Sequence, residues 1–178
     1  QRDKDDVVAQ FVQGVAHFYD GEFEPAIAAM KHVEPHAPHE GRVYIYQAMA
    51  HFWLGHQKEA ENLVTRAREA NPHDPDVYYC HSQIHRRHDI DAAIESLERY
   101  IALSASPGAL QFKKKTKRVR KELESLKKGE IPPDWDRPGY RPPGQTIESL
   151  SDPFQLPDPP VFFGAIAALI AGLFLGWW

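Results

Sequence analysis

Ten histidines are the most chemically versatile residues of this 178-residue chain, and two groups of them have spacings that bring imidazoles together. His81, His85 and His88 recur at steps of four and three, on one face of a helix, while His32, His36 and His39 crowd a turn. Neutral imidazoles so grouped can hold zinc-class metals. Neither group is accompanied by carboxylates at ligand-like spacing, Cys80 falls off the first face, and no CxxCH is present for haem attachment. The sequence therefore assigns no metal and no cofactor. His17 and His51, 34 residues apart, read as structural. Cys80 is the single cysteine, which excludes an internal disulfide and any multi-cysteine cluster held by this chain alone. GxSxG, HExxH, a Gly-rich phosphate loop and paired carboxylates are all missing, so the expectation is a protein that is not an enzyme.

Charge supplies the next signal. Between Lys113 and Lys128 nine basic residues stand beside only Glu122 and Glu124, a local charge of +7 in a chain whose formal total is −4. Lys113, Lys114, Lys115, Lys117, Arg118, Arg120 and Lys121 would meet anionic lipid headgroups or an acidic partner. No aromatic residues interleave the lysines as base-stacking platforms, and no nucleic acid is expected.

The elements that must position these residues follow from a repeat of about 34 residues. The segments DGEFEPAI from Asp20, LGHQKEAE from Leu54 and RHDIDAAI from Arg87 align as one helix-turn-helix joint. Gly21 recurs as Gly55, Ala26 as Ala60 and Ala93, and Pro38 as Pro72. Apolar residues keep helical spacing in the first helices, as in Phe11, Val15 and Phe18, then Ile45, Met49 and Phe52. Ala26, Ala60 and Ala93 let paired helices approach closely, and the prolines separate one pair from the next. Three units before residue 107 predict an all-α solenoid.

With small Gly14 and Ala48 in the first helices, the turn glycines, the second-helix alanines and the closing prolines, residues 7 to 106 resemble the tetratricopeptide repeat (TPR) family. The chain departs from it in having no Trp near the start of a first helix, and in His81 and His88 where the third unit should carry the small residue and the turn glycine. The resemblance implies that first helices line a concave protein-binding face. The repeat ruler then places Phe11, Val12, Val15, Phe18 and Tyr19, Ile45, Tyr46, Met49, Phe52 and Trp53, and Tyr78, Tyr79, Ser82, His85 and Arg86 along the groove. Family members that grip a C-terminal carboxylate use Lys and Asn at such positions, and their absence argues against a chaperone-tail receptor. An aromatic groove suits an apolar helix, a Pro-rich strand or the chain's own linker, with interhelical packing of the rings as the plain alternative.

Beyond the three repeats (1–106) the sequence predicts a basic capping helix (107–128) with Phe112, Val119, Leu123 and Leu126 on one face, then a Pro-rich extended linker (129–160) with nine prolines. Residues 161–178, VFFGAIAALIAGLFLGWW, contain no charge, against a mean hydropathy of −0.53 for the chain. Eighteen helical residues rise about 27 Å, enough with aromatic ends to cross a bilayer core. Gly164, Ala168, Gly172 and Gly176 recur every four residues along this transmembrane helix, a stripe on which another helix packs closely in lipid.

Composition, with 42% hydrophobic and 26% charged residues, fits a water-soluble body on a membrane anchor. The expected protein is a noncatalytic, membrane-anchored TPR scaffold, an accessory subunit of a multisubunit membrane complex that binds membrane subunits through its span and a protein or peptide in its groove. A tail-anchored receptor or assembly factor acting transiently is the alternative, with a metal- or electron-transfer-associated subunit behind it. The chain begins at Gln1, which implies a preceding piece removed or left out. The repeats face a periplasm or lumen if that piece was a signal, and the cytoplasm otherwise.

Overall fold

The computed structural model describes residues 2–105 and 113–132. Within them the chain forms seven α-helices: α1 (Arg2–Asp20), α2 (Phe23–Val33), α3 (Gly41–Trp53), α4 (Gln57–Ala70), α5 (Pro75–His85), α6 (Ile90–Ser104) and α7 (Lys113–Lys127). A single 3-10 turn, Glu34–His36, follows α2. The predicted span and most of the predicted linker, 133–160, lie outside the described residues. Among the described residues no helix is long and apolar enough to cross a membrane.

Helices α1–α2, α3–α4 and α5–α6 pair as hairpins, and α7 packs on α6. The first two hairpins turn on glycine. Gly21 and Gly55 adopt φ of 82° and 83°, a left-handed conformation costly for other residues, and each lets the next amide reach back to a histidine carbonyl. Those bonds are Glu22 N–H to His17 O and His56 N–H to His51 O, both 2.9 Å. The third joint is one residue shorter and has no left-handed residue; Asp89 N–H closes directly on His85 O at 2.8 Å. Asp74 and Asp89 then cap α5 and α6 by accepting from the amides of Asp76 and Ala92.

Small residues allow the close approach within each hairpin. Ala26, Ala60 and Ala93 are buried, and a Cβ on Gly14 would sit 2.9 Å from Met30 Cε and 3.0 Å from Ala29 Cβ. Met30, Val64 and Leu97 fill the same level of the three second helices. On α7, Val119 and Leu126 are buried against Ala93, Leu97 and Tyr100 of α6, which withdraws the last apolar face of the solenoid from water.

The third unit keeps a step of 34 through its first helix and loses its residue only at the joint. Tyr44 and Tyr78 each donate a 3.0 Å hydrogen bond to a proline carbonyl six residues back, Pro38 and Pro72. An arginine from the paired second helix lies over each ring, Arg66 over Tyr44 at 4.5 Å and Arg99 over Tyr78 at 5.8 Å. The small-residue position of unit three is therefore Ser82, fully buried like Ala48, and not His81 as the sequence ruler placed it.

Candidate protein-binding groove

That register changes what each first helix presents. On α1, Phe11, Val15 and Phe18 turn toward α3, where Tyr46 meets Phe18 at 5.3 Å and Phe11 at 6.1 Å between ring centroids, edge to face. On α3, Ile45, Met49 and Phe52 pack against the cluster containing Val77, Cys80 and Ile84 of α5. Burial pushes the Cys80 thiol well up, which makes it inert at neutral pH. Burial likewise raises the Tyr46 phenol, partly offset by a hydrogen bond with Tyr19. Each row of rings is thus largely covered by the next first helix.

The residues assigned to the groove separate accordingly. Val15, Phe18 and Tyr79 are core residues, as are Ser82 and Arg86, and offer little surface to a partner. Phe11, Tyr19, Ile45, Tyr46, Met49, Phe52, Trp53, Tyr78 and His85 are half-buried. Tyr19 of α1 and Tyr46, Met49 and Trp53 of α3 all pack beside the Phe18 cluster and stay half-buried, an apolar strip on the two first helices. Tyr78 departs from the strip: it lines a cleft of about 530 Å³ between α4, α5 and α6, with Arg68, His81, Ser96 and Arg99.

At the α5 level the corresponding positions are polar. Tyr79 OH and Gln83 Nε2 donate to the two oxygens of Glu122 on α7, at 3.4 and 3.3 Å. Arg118 stands 3.6 Å from the same carboxylate and donates to Tyr79 OH at 3.1 Å. Burial raises the Glu122 pKa, against the opposing pull of Arg118 and then of the buried Arg86. Lys115 pairs with Asp76 and lies 4.3 Å over the Tyr79 ring. Lys115 and Arg118 are thus engaged within the fold, whereas Lys117, Arg120 and Lys121 are exposed. Lys113 and Lys114 open α7.

The histidines that end the first helices repeat a contact. His17 Nδ1 reaches Glu22 at 2.5 Å, His51 Nδ1 reaches His56 Nδ1 at 3.2 Å, and His85 Nδ1 reaches His88 Nε2 at 3.1 Å. His81 stacks on His85 with ring centroids 4.1 Å apart, while its Nδ1 meets Ser96 Oγ at 2.8 Å. Burial, and then the neighbouring His85, push its pKa down to about 4. Sequence spacing missed one member of this group. Glu61 of α4 comes within 3.6 Å of His88 Nε2, a carboxylate that no count along α5 could locate. His32 and His36, exposed, stand 6.0 Å apart.

No protein-family model matches the sequence, and neither does any curated protein. Solved structures do match. The TPR2B domain of yeast Sti1 in complex with pHsp70 is 17% identical, with a TM-score of 0.59, covering 67% of this chain and 97% of that one. The type III secretion translocator chaperone SycD of Yersinia enterocolitica is 15% identical, with a TM-score of 0.63 over 71% of this chain and 86% of its own. The first TPR domain of Spaghetti (RPAP3), bound to the HSP90 peptide SRMEEVD, is 18% identical at a TM-score of 0.54, covering 68% and 98%. The described helices have the TPR-type fold.

Proposed function

We propose that the chain is a noncatalytic, membrane-anchored scaffold whose TPR-type body recruits or stabilises a protein partner within a multisubunit membrane complex. The observation that carries the reading is the apolar strip of Tyr19, Tyr46, Met49 and Trp53, three rings and a thioether that the fold leaves partly exposed. Rigid, half-buried aromatic residues bind with little loss of side-chain entropy, and they match an apolar helix or a Pro-rich strand. Two of the similar structures hold Hsp70- or Hsp90-derived partners, which supports protein recognition as the use of the fold. The apolar strip here points to a different occupant from an acidic peptide.

Anchoring rests on the uncharged run 161–178 and docking on its Gly164, Ala168, Gly172 and Gly176 stripe. The exposed Lys117, Arg120 and Lys121 suit an acidic partner surface or anionic headgroups. Replacing Gly172 with Leu tests the docking step. The variant is expected to stay in the membrane fraction and to leave its complex in mild detergent; unchanged co-purification contradicts the docking role.

A further inference from the structure

Glu61, His85 and His88 each offer one ligand atom, and all three atoms lie within 4.8 Å of one another. We infer that they form a binding site for a divalent transition-metal ion of the zinc class, a property independent of the apolar strip and of the anchor. A tetrahedral ion with bonds of 2.0–2.1 Å holds its ligand atoms about 3.3–3.4 Å apart. His85 Nδ1 to His88 Nε2 is 3.1 Å and His88 Nε2 to Glu61 Oε1 is 3.6 Å, so these two edges need only a few tenths of an ångström, and the His85–Glu61 edge, within 4.8 Å, closes by side-chain rotation of Glu61 as the ion binds. Two imidazoles and a carboxylate suit zinc, cobalt, nickel or copper and not the oxygen-preferring calcium or magnesium.

The surroundings hold the ligands in place. Gln57 Nε2 donates to Glu61 Oε1 at 2.9 Å and to the Ile84 carbonyl at 3.4 Å, which ties the carboxylate to the end of α5. Stacking of His81 fixes the His85 ring. The joint itself makes the site specific to the third unit: His88 stands in the shortened turn where the other joints carry Gly21 and Gly55. The second joint provides a natural control, because His51 and His56 approach equally closely, at 3.2 Å, with no carboxylate completing a group among the described residues. His88 is exposed, so the fourth position opens to water or to a ligand from a partner.

The test uses the full chain without an affinity tag, in mild detergent, titrated calorimetrically with zinc chloride and spectroscopically with cobalt chloride. One equivalent of either ion is expected to bind, with visible absorption from tetrahedral cobalt. Glu61→Gln at a half-buried position and His88→Ala at an exposed one are each expected to weaken binding about 10-fold or more, since even residues that merely support a ligand contribute that much. His56→Ala is expected to change nothing. Absence of saturable binding overturns the inference, as does binding that survives both Glu61→Gln and His88→Ala.

Discussion

Removing the Glu122 carboxylate probes how the last helix is held, because two cations share that one anion. Arg86 is 2% exposed and the Glu122 side chain 13%. In Glu122→Ala the buried guanidinium of Arg86 loses a neighbouring countercharge, and Tyr79 and Gln83 lose their acceptor. Breaking a buried pair from one side costs about 3–5 kcal/mol, whereas replacing both members with well-packed apolar residues is often close to neutral. The double variant Arg86→Met/Glu122→Leu should therefore recover the part of the loss that Arg86 contributes, while Arg118, Tyr79 and Gln83 still lose the carboxylate they share. Urea unfolding followed by far-ultraviolet circular dichroism, with a double-mutant cycle built from the four proteins, measures both quantities. A Glu122→Ala loss below about 0.5 kcal/mol, the level of ordinary surface changes, would refute the reasoning, as would strict additivity in the cycle.

Three further outcomes are expected. Gly55→Ala should lose about 1–2 kcal/mol by urea unfolding, since the space around its Cβ is open and the cost lies in the left-handed backbone, while Gly55→Asn loses less. In metal-free protein with chelator, His81 stays neutral in the fold, so between its folded value of about 4 and its ordinary 6.5 the unfolded chain binds the proton more readily. Stability is then full above pH 6.5 and declines as pH falls toward 4, by about 1–2 kcal/mol once partial exposure of the ring is discounted, and His81→Gln should flatten that decline in thermal melts. Tyr78→Phe removes the bond to the Pro72 carbonyl and should cost about 1 kcal/mol in the same unfolding assay.

The repeat was legible because its punctuation is chemical. Gly21 and Gly55 mark left-handed turns that few other residues tolerate, and Ala26, Ala60 and Ala93 mark close helix approach. Register inside the third unit was not legible, because a ruler fixed on the second-helix alanines carried the missing residue of the joint back into α5 and put His81 in place of Ser82. Exposure of the groove rings was equally hidden. A period of 3.6 shows which residues share a face, but the covering of Phe18 by α3 depends on how neighbouring hairpins stack. Glu61 escaped notice for a related reason: the ligand-like grouping joins α4 to the end of α5 across 24 residues of sequence.

The most direct measurement of the central claim is comparative purification of the full chain and a Tyr19→Ala/Trp53→Ala variant from native membranes in mild detergent. Both proteins are expected in the membrane fraction, with a defined partner accompanying the parent chain and lost from the variant. Recovery of the same partners with both proteins, or of either one free of the membrane, contradicts the account.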